Sequence, residues 1–191
     1  MAVRNALSVF HSPKSAFPIE NPGEGMMRDV LVQLSLDPRV RRMGVLEMTS
    51  DDCRRQAFRA VTIDRMDGRY VIDVEHCRPV RPADEDAVVG RAIAELGFRT
   101  LRITGEEIMR EPRFSCARAI WSYRRVRVGV AMGMELARVL DDGPLTLGEL
   151  YSLVPGPEDP VGAVFSLVCA DVIELDLNEW CGRSTVVRSR S

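Results

Sequence analysis

The sequence predicts an α/β domain, a mixed sheet flanked by helices, followed by a small winged helix-turn-helix domain. Two element orders and a charge break predict it. From residue 24 apolar spacing alternates between helical and strand periods, in the order helix, strand, hairpin, helix, strand, helix. From residue 129 the order is three helices and then two short alternating runs, the winged-helix arrangement. Charge divides at the same place: residues 1–128 hold 22 Lys/Arg against 18 Asp/Glu, and residues 129–191 hold 4 against 10. The first segment can accept a polyanion and the second resists one.

Each element has a local cause. Residues 1–23 contain Pro13, Pro18, Asn21, Pro22 and Gly23 and read as a flexible N-terminal arm without regular structure. Met27, Val30, Leu31 and Leu34 share one helical face, and Asp37-Pro38 ends that helix. Residues 40–48 read as a strand. Residues 56–65 and 69–75 read as hairpin arms around Met66-Asp67-Gly68, where Asp-Gly marks the turn. Pro79 and Pro82 interrupt, and a helix follows over 84–96 with Gly97 placed to cap it. Residues 98–103 form the next strand, and Thr104 with Glu107 has capping-box spacing. Pro112 breaks the short helix, and a further helix runs over 114–128, closing a 24–128 domain.

In the 129–191 domain, residues 130–140 are helical and Asp141-Asp142-Gly143-Pro144 turns the chain. A helix over 146–154 places Leu147, Leu150 and Leu153 inward, a proline-rich turn covers 155–160, and another helix covers 161–170. Residues 172–177 alternate as a strand, and 184–188 return beside it.

Composition excludes several function classes. No apolar run approaches the roughly 18–20 residues of a membrane span, and the opening residues are too short in their apolar part for a secretory signal. Cys53, Cys77, Cys116, Cys169 and Cys181 are odd in number and scattered, which predicts reduced thiols in a cytoplasmic protein. The weak adjacency of His76 and Cys77 does not make a zinc site. His11 and His76 lack the company a nucleophilic triad needs, and no Walker or Rossmann glycine loop is present. Trp121 and Trp180 read as packing residues, with no aromatic stripe around either.

Lys14 is the single lysine beside twenty-five arginines. Arg118, Arg124, Arg125 and Arg127 fall within one expected helix, where Arg118 and Arg125 share a face. They form either a phosphate grip or a solvated face paired with acids. Arg41-Arg42 and Arg54-Arg55 read as strand ends and loop. In the winged helix, residues 160–171 carry no Arg, Lys, Asn or Gln, the side chains that read base edges, so this domain is expected to dock a protein. Only Arg183, Arg188 and Arg190 leave room for a wing touching a phosphate.

The run 28–40 in which the first helix ends, the hairpin to Glu75, the run 96–104 and the closing leucine pattern together resemble the TnsA-like endonucleases. Those proteins join a PD-(D/E)xK nuclease domain to a winged helix. The resemblance spans roughly residues 20–190 and implies a nuclease-like fold whose catalytic positions have degenerated. Such enzymes hold Mg²⁺ with carboxylates and place a lysine beside the attacked phosphate. Here Met27 stands at the first-helix glutamate, with Glu24 or Glu20 as substitutes, Arg59 stands at the aspartate, and Glu75 stands at the lysine. Asp73 alone keeps its type, and Asp64 is a further carboxylate that could join it. Three readings of Asp73 and Glu75 stay open: a solvated strand face or salt bridge with Arg59, a retained metal site, or an acidic partner patch.

The resemblance therefore implies a non-enzymatic, DNA- or nucleoprotein-associated scaffold without cofactor. Its partners would be a protein at the winged helix and DNA at the arginine face, with no membrane. The alternatives are an active Mg²⁺-dependent DNA endonuclease using Asp73, Glu75 and Glu24, and a winged-helix transcriptional regulator.

Overall fold

The structure, a computed structural model, describes residues 8–21, 25–48, 58–75, 77, 82–154 and 160–190. The chain forms two compact units, one running to Ile108 apart from Leu31–Pro38, and the other made of Leu31–Pro38 with Met109 onward. The charge break at residue 128 had placed this boundary about a helix later. None of the described helices is long and apolar enough to cross a membrane.

The first unit opens with β1 (Ser8–Phe10) and β2 (Ile19–Asn21), paired antiparallel. This corrects the expectation of an arm without regular structure. Phe10 and Ile19 are buried, Lys14 is buried too, and the Met43 amide donates to the Lys14 carbonyl at 2.9 Å. Proline spacing signals where the chain bends and carries no information on this docking. Pro22, Gly23 and Glu24 lie outside the described residues, as do Arg54, Arg55 and Cys53.

Helix α1 (Met26–Leu36) precedes β3 (Val40–Met48), β4 (Phe58–Arg65) and β5 (Gly68–Val74). Then come α2 (Ala83–Glu95), β6 (Arg99–Ile103) and the single-turn α3 (Gly105–Ile108). The sheet order is β3-β4-β5-β6, antiparallel at the first two junctions and parallel at the third. A parallel neighbour needs a crossover, and α2 supplies it. Gly97, at φ +78°, ends α2 in the left-handed region, with the Phe98 amide reaching back to the Ile93 carbonyl. Thr104 and Glu107 make the expected reciprocal cap of α3: the Thr104 amide donates to Glu107 at 2.8 Å and the Glu107 amide to Thr104 Oγ1 at 3.2 Å. Val71, Ile93 and Phe98 form an apolar cluster under α2, joined by Leu46, Phe58, Ala60 and Val89.

The second unit holds α4 (Arg113–Ser122), α5 (Val130–Asp141), β7 (Leu145–Thr146), α6 (Leu147–Leu153) and α7 (Pro160–Cys169). The strands β8 (Ile173–Leu175) and β9 (Val186–Ser189) complete it, with the sheet ordered β7-β9-β8. Helix α4 belongs here because its buried Cys116, Ala117, Ile120 and Trp121 pack against α7; Cys169 Sγ donates to the Ile120 carbonyl at 3.3 Å. Thr146 and Glu149 form a full capping box at the start of α6. Leu147 and Leu150 are buried as expected, but Leu153 is 53 % exposed, and Val154 takes the inward place where the helix ends. Helix α7 stops in a Schellman motif in which Asp171 takes φ 61° and the Val172 amide bonds the Leu167 carbonyl at 3.0 Å.

Two arginines hold this unit's polar interior. Arg113 donates to Gln33 Oε1 at 3.1 Å and to Asp37 Oδ2 at 3.0 Å, where the Asp37 side chain is only 6 % exposed. Arg190 donates to the Pro38 carbonyl at 2.7 Å and to Glu174 at 2.6 Å, with Asp171 at 3.4 Å from its Nε. Arg190 is thus committed internally, which removes it from the residues expected to touch a phosphate. Because removing one partner strands a buried charge, Arg113→Ala should lower unfolding stability by about 3 kcal/mol. The check is the denaturation midpoint in urea at unchanged slope.

Candidate functional site

The β4–β5 ladder runs from Arg65↔Gly68 only as far as Thr62↔Val71. Beyond that pair, residues 58–61 and 72–74 no longer pair with each other, although β4 keeps β3 to Phe58 and β5 keeps β6 to Val74. The two central strands diverge, and a cavity of about 320 Å³ occupies the space between them. Phe58, Val61, Val71 and Ile72 are among its apolar walls, while Glu20, Arg59, Asp73, Asp86 and Arg102 supply charge.

Strand alternation sorts these side chains onto two faces. Thr62 and Val71 are cross-strand partners, so Phe58, Ala60, Val71 and Asp73 share the face that packs on α2. Arg59, Val61, Ile72 and Val74 lie on the opposite face. Asp73 sits opposite Arg102 in the β5–β6 register, its side chain 17 % exposed and 3.5 Å from Arg102 Nε. Arg59 sits opposite Glu47 in the β3–β4 register, bonds it at 3.1 Å, and also grips Glu20. The expected salt bridge between Arg59 and the Asp73–Glu75 pair is therefore corrected. The two groups are on different faces, and each has found its own partner.

The other candidates disperse further. Strand β5 ends at Val74, so Glu75 falls in the following turn, exposed, with its amide bonded to the Ile103 carbonyl at 3.0 Å. The arm expected over 69–75 therefore stops one residue short of Glu75. Met27 lines the cavity and supplies no metal ligand of the hard-oxygen kind. Asp64 lies at the hairpin end, 3.5 Å from Arg69, and Glu24 lies outside the described residues. Among the described residues no group of three or more His, Cys, Asp or Glu side chains is arranged to hold a metal ion. Among the described residues the carboxylates do not fit a Mg²⁺ centre, since Asp73 faces the Arg102 guanidinium and Glu20 and Glu47 are held by Arg59.

The arginine group also differs from its expected form. Helix α4 ends at Ser122, and Arg124, Arg125 and Arg127 follow it, so they do not share a helical face with Arg118. The Tyr123, Arg124 and Val126 amides bond carbonyls three residues back, which tightens and ends the helix. Arg124 donates to the Trp121 carbonyl at 3.0 Å, capping the helix C-terminus. Arg118 lies over the Phe114 ring, and Arg125 and Arg127 are exposed.

In helix α7 every residue is buried or half-buried, so it presents no free face to a groove. Trp180, expected to pack, is instead 65 % exposed in the connection between β8 and β9, whereas Trp121 is buried as expected. The sequence reading missed Arg102, Glu47 and the α2 residues that line the cavity. Their pairing depends on the parallel β5–β6 register and on strand divergence, for which adjacent residues carry no signal.

Three thiols are set in the second unit. Cys116 Sγ donates to the Glu179 carbonyl and accepts from the Cys181 amide at 3.3 Å. Burial pushes the Cys169 thiol up to about 12, and burial with hydrogen bonding to Cys116 raises that of Cys181. A raised thiol pKa favours the protonated folded form. Its stability is full below the ordinary thiol range and is lost as pH rises through about 12.

Neither protein-family models nor curated proteins give a match to this chain.

Two predictions test this geometry. Because the Ala60 side chain adjoins open space, Ala60→Leu should change stability by less than about 1 kcal/mol, whereas a closed site would lose about 1–3 kcal/mol by overpacking. Urea midpoints distinguish the cases. Cys169 and Cys181 should resist a maleimide at neutral pH and become reactive as pH climbs towards 12, with stability falling over the same alkaline range. Peptide mapping of labelled thiols and circular dichroism against pH read both effects.

Proposed function

We propose that this chain is a nuclease-like protein without nuclease chemistry that acts as a DNA- or nucleoprotein-associated scaffold. The order α1, β3, β4, β5, α2, β6 supports a PD-(D/E)xK-like reading of the first unit. The order α5, β7, α6, α7, β8, β9 supports a winged helix in the second. One observation carries the loss of chemistry: the acids that would gather a metal are distributed over two sheet faces and neutralised by arginines, Asp73 with Arg102 and Glu20 and Glu47 with Arg59.

Arginine stays protonated at working pH and so cannot replace a lysine that exchanges a proton. The buried character of α7 weighs against sequence-specific reading by that helix, because major-groove readout needs exposed donors and acceptors. A protein-docking role for the second unit fits this burial. The exposed Arg118, Arg125 and Arg127 are the cations through which that unit would touch phosphates.

The test is nicking of supercoiled plasmid with Mg²⁺ or Mn²⁺. Wild type and Asp73→Ala should both leave the plasmid intact, and cleavage that Asp73→Ala abolishes would establish the endonuclease alternative instead. Changing Arg125→Glu with Arg127→Glu should weaken duplex binding and reduce its logarithmic salt slope by about 2. Base-specific protection of a promoter would favour a regulator.

A further inference from the structure

The cavity between the diverging ends of β4 and β5 is lined only by residues of the first unit, and a scaffold role makes no use of it. Its volume is about 320 Å³. A dry apolar cavity of roughly 150 Å³ is enough to enclose a benzene molecule. Ile19 and Met27 are among the walls, as are Val89 and Ile93 of α2. Apolar walls without neighbours forgo the contacts that close packing supplies, and a cavity of this kind takes up apolar molecules of matching size.

Exposure marks the mouth. Asp86 and Gly90 of α2, Cys77, and Thr100 and Arg102 of β6 all line the cavity and are all exposed. Asp86 and Gly90 are four residues apart on α2 and so border the same opening. Gly90 has no positive φ to explain it, and glycine inside a helix costs stability relative to alanine. What the missing side chain does is leave room: a Cβ at Gly90 would meet no atom within 4 Å.

Charge at the mouth selects the ligand. Both lining guanidiniums are committed, Arg59 to Glu20 and Glu47 and Arg102 to Asp73. An anion entering here would have to compete with a carboxylate for either of them. The Asp86 carboxylate, by contrast, has no hydrogen-bond or ion-pair partner among the described residues. Asp84 and Glu85 precede it in the first turn of α2, which makes the helix side of the mouth acidic.

We propose that this cavity binds a small amphipathic amine, with its apolar body seated between β4 and β5 and its ammonium against Asp86 at the mouth. The volume suits a body of about two fused rings. Binding here needs no DNA contact, so failure at this site leaves the DNA-associated reading intact.

The test is isothermal titration of the full chain with three probes that share one ring system: naphthylmethylamine, naphthylmethanol and naphthoate, at neutral pH. The amine should bind about threefold or more tighter than the alcohol, and naphthoate should bind weakest. Asp86→Asn should bring the amine down to the affinity of the alcohol without changing the alcohol itself, while Asp86→Glu keeps the preference. Gly90→Leu, which fills the opening, should abolish binding of all three probes. Its urea midpoint should be no lower than wild type, since leucine is the better helix former. Failure of wild type to bind the amine or the alcohol at millimolar concentration would overturn the site. So would amine binding that survives Gly90→Leu unchanged, because the probe would then sit elsewhere. Naphthoate binding as tightly as the amine, or an amine preference that persists in Asp86→Asn, would overturn the assignment of a cationic ligand held by Asp86.

Discussion

The short pairing between β4 and β5 governs the first unit. Four residue pairs join them, from Arg65↔Gly68 to Thr62↔Val71. At the closed end this ladder fixes a two-residue turn and brings the arginines of neighbouring strands around it. At the open end the strands part, and the cavity forms between a face resting on α2 and a face carrying Arg59. Both ends follow from one fact: β4 and β5 each keep their outer neighbour while losing each other. Lengthening the ladder would close the cavity and bring residues 58–61 against 72–74.

Arginine suits this architecture for a geometric reason. Its planar fork can satisfy several acceptors at once, where an ammonium is a point charge. Arg190 serves Pro38, Glu174 and Asp171, Arg113 serves Gln33 and Asp37, and Arg59 serves Glu20 and Glu47. Others use the guanidinium plane, as Arg69 does over Phe98 at 4.0 Å. The arginines thus divide into structural members, fixed by acceptors or rings, and exposed ones such as Arg42, Arg125 and Arg127 that remain available to a polyanion.

The second unit solves a different problem. Its α7 is apolar almost throughout and is consumed by packing against α4, α5 and β8. The exposed groups of this unit are peripheral and include Trp180, Leu153 and the arginines after α4.

The sequence determined the element order from α1 onward apart from the two-residue β7, together with the Asp67-Gly68 turn, the Gly97 cap, the Thr104–Glu107 box and the end of α1 at Asp37-Pro38. Each is decided by backbone conformation and hydrogen bonds among residues a few positions apart. Tertiary structure alone decided that Arg59 and Asp73 lie on opposite faces, because one residue of register inverts every side chain on a strand. It alone decided that α4 ends before Arg124 and joins the second unit, that residues 8–21 hold a docked strand pair, and that Trp180 is exposed. These outcomes depend on which apolar surfaces meet, and burial is a property of the assembled chain rather than of any local run of residues.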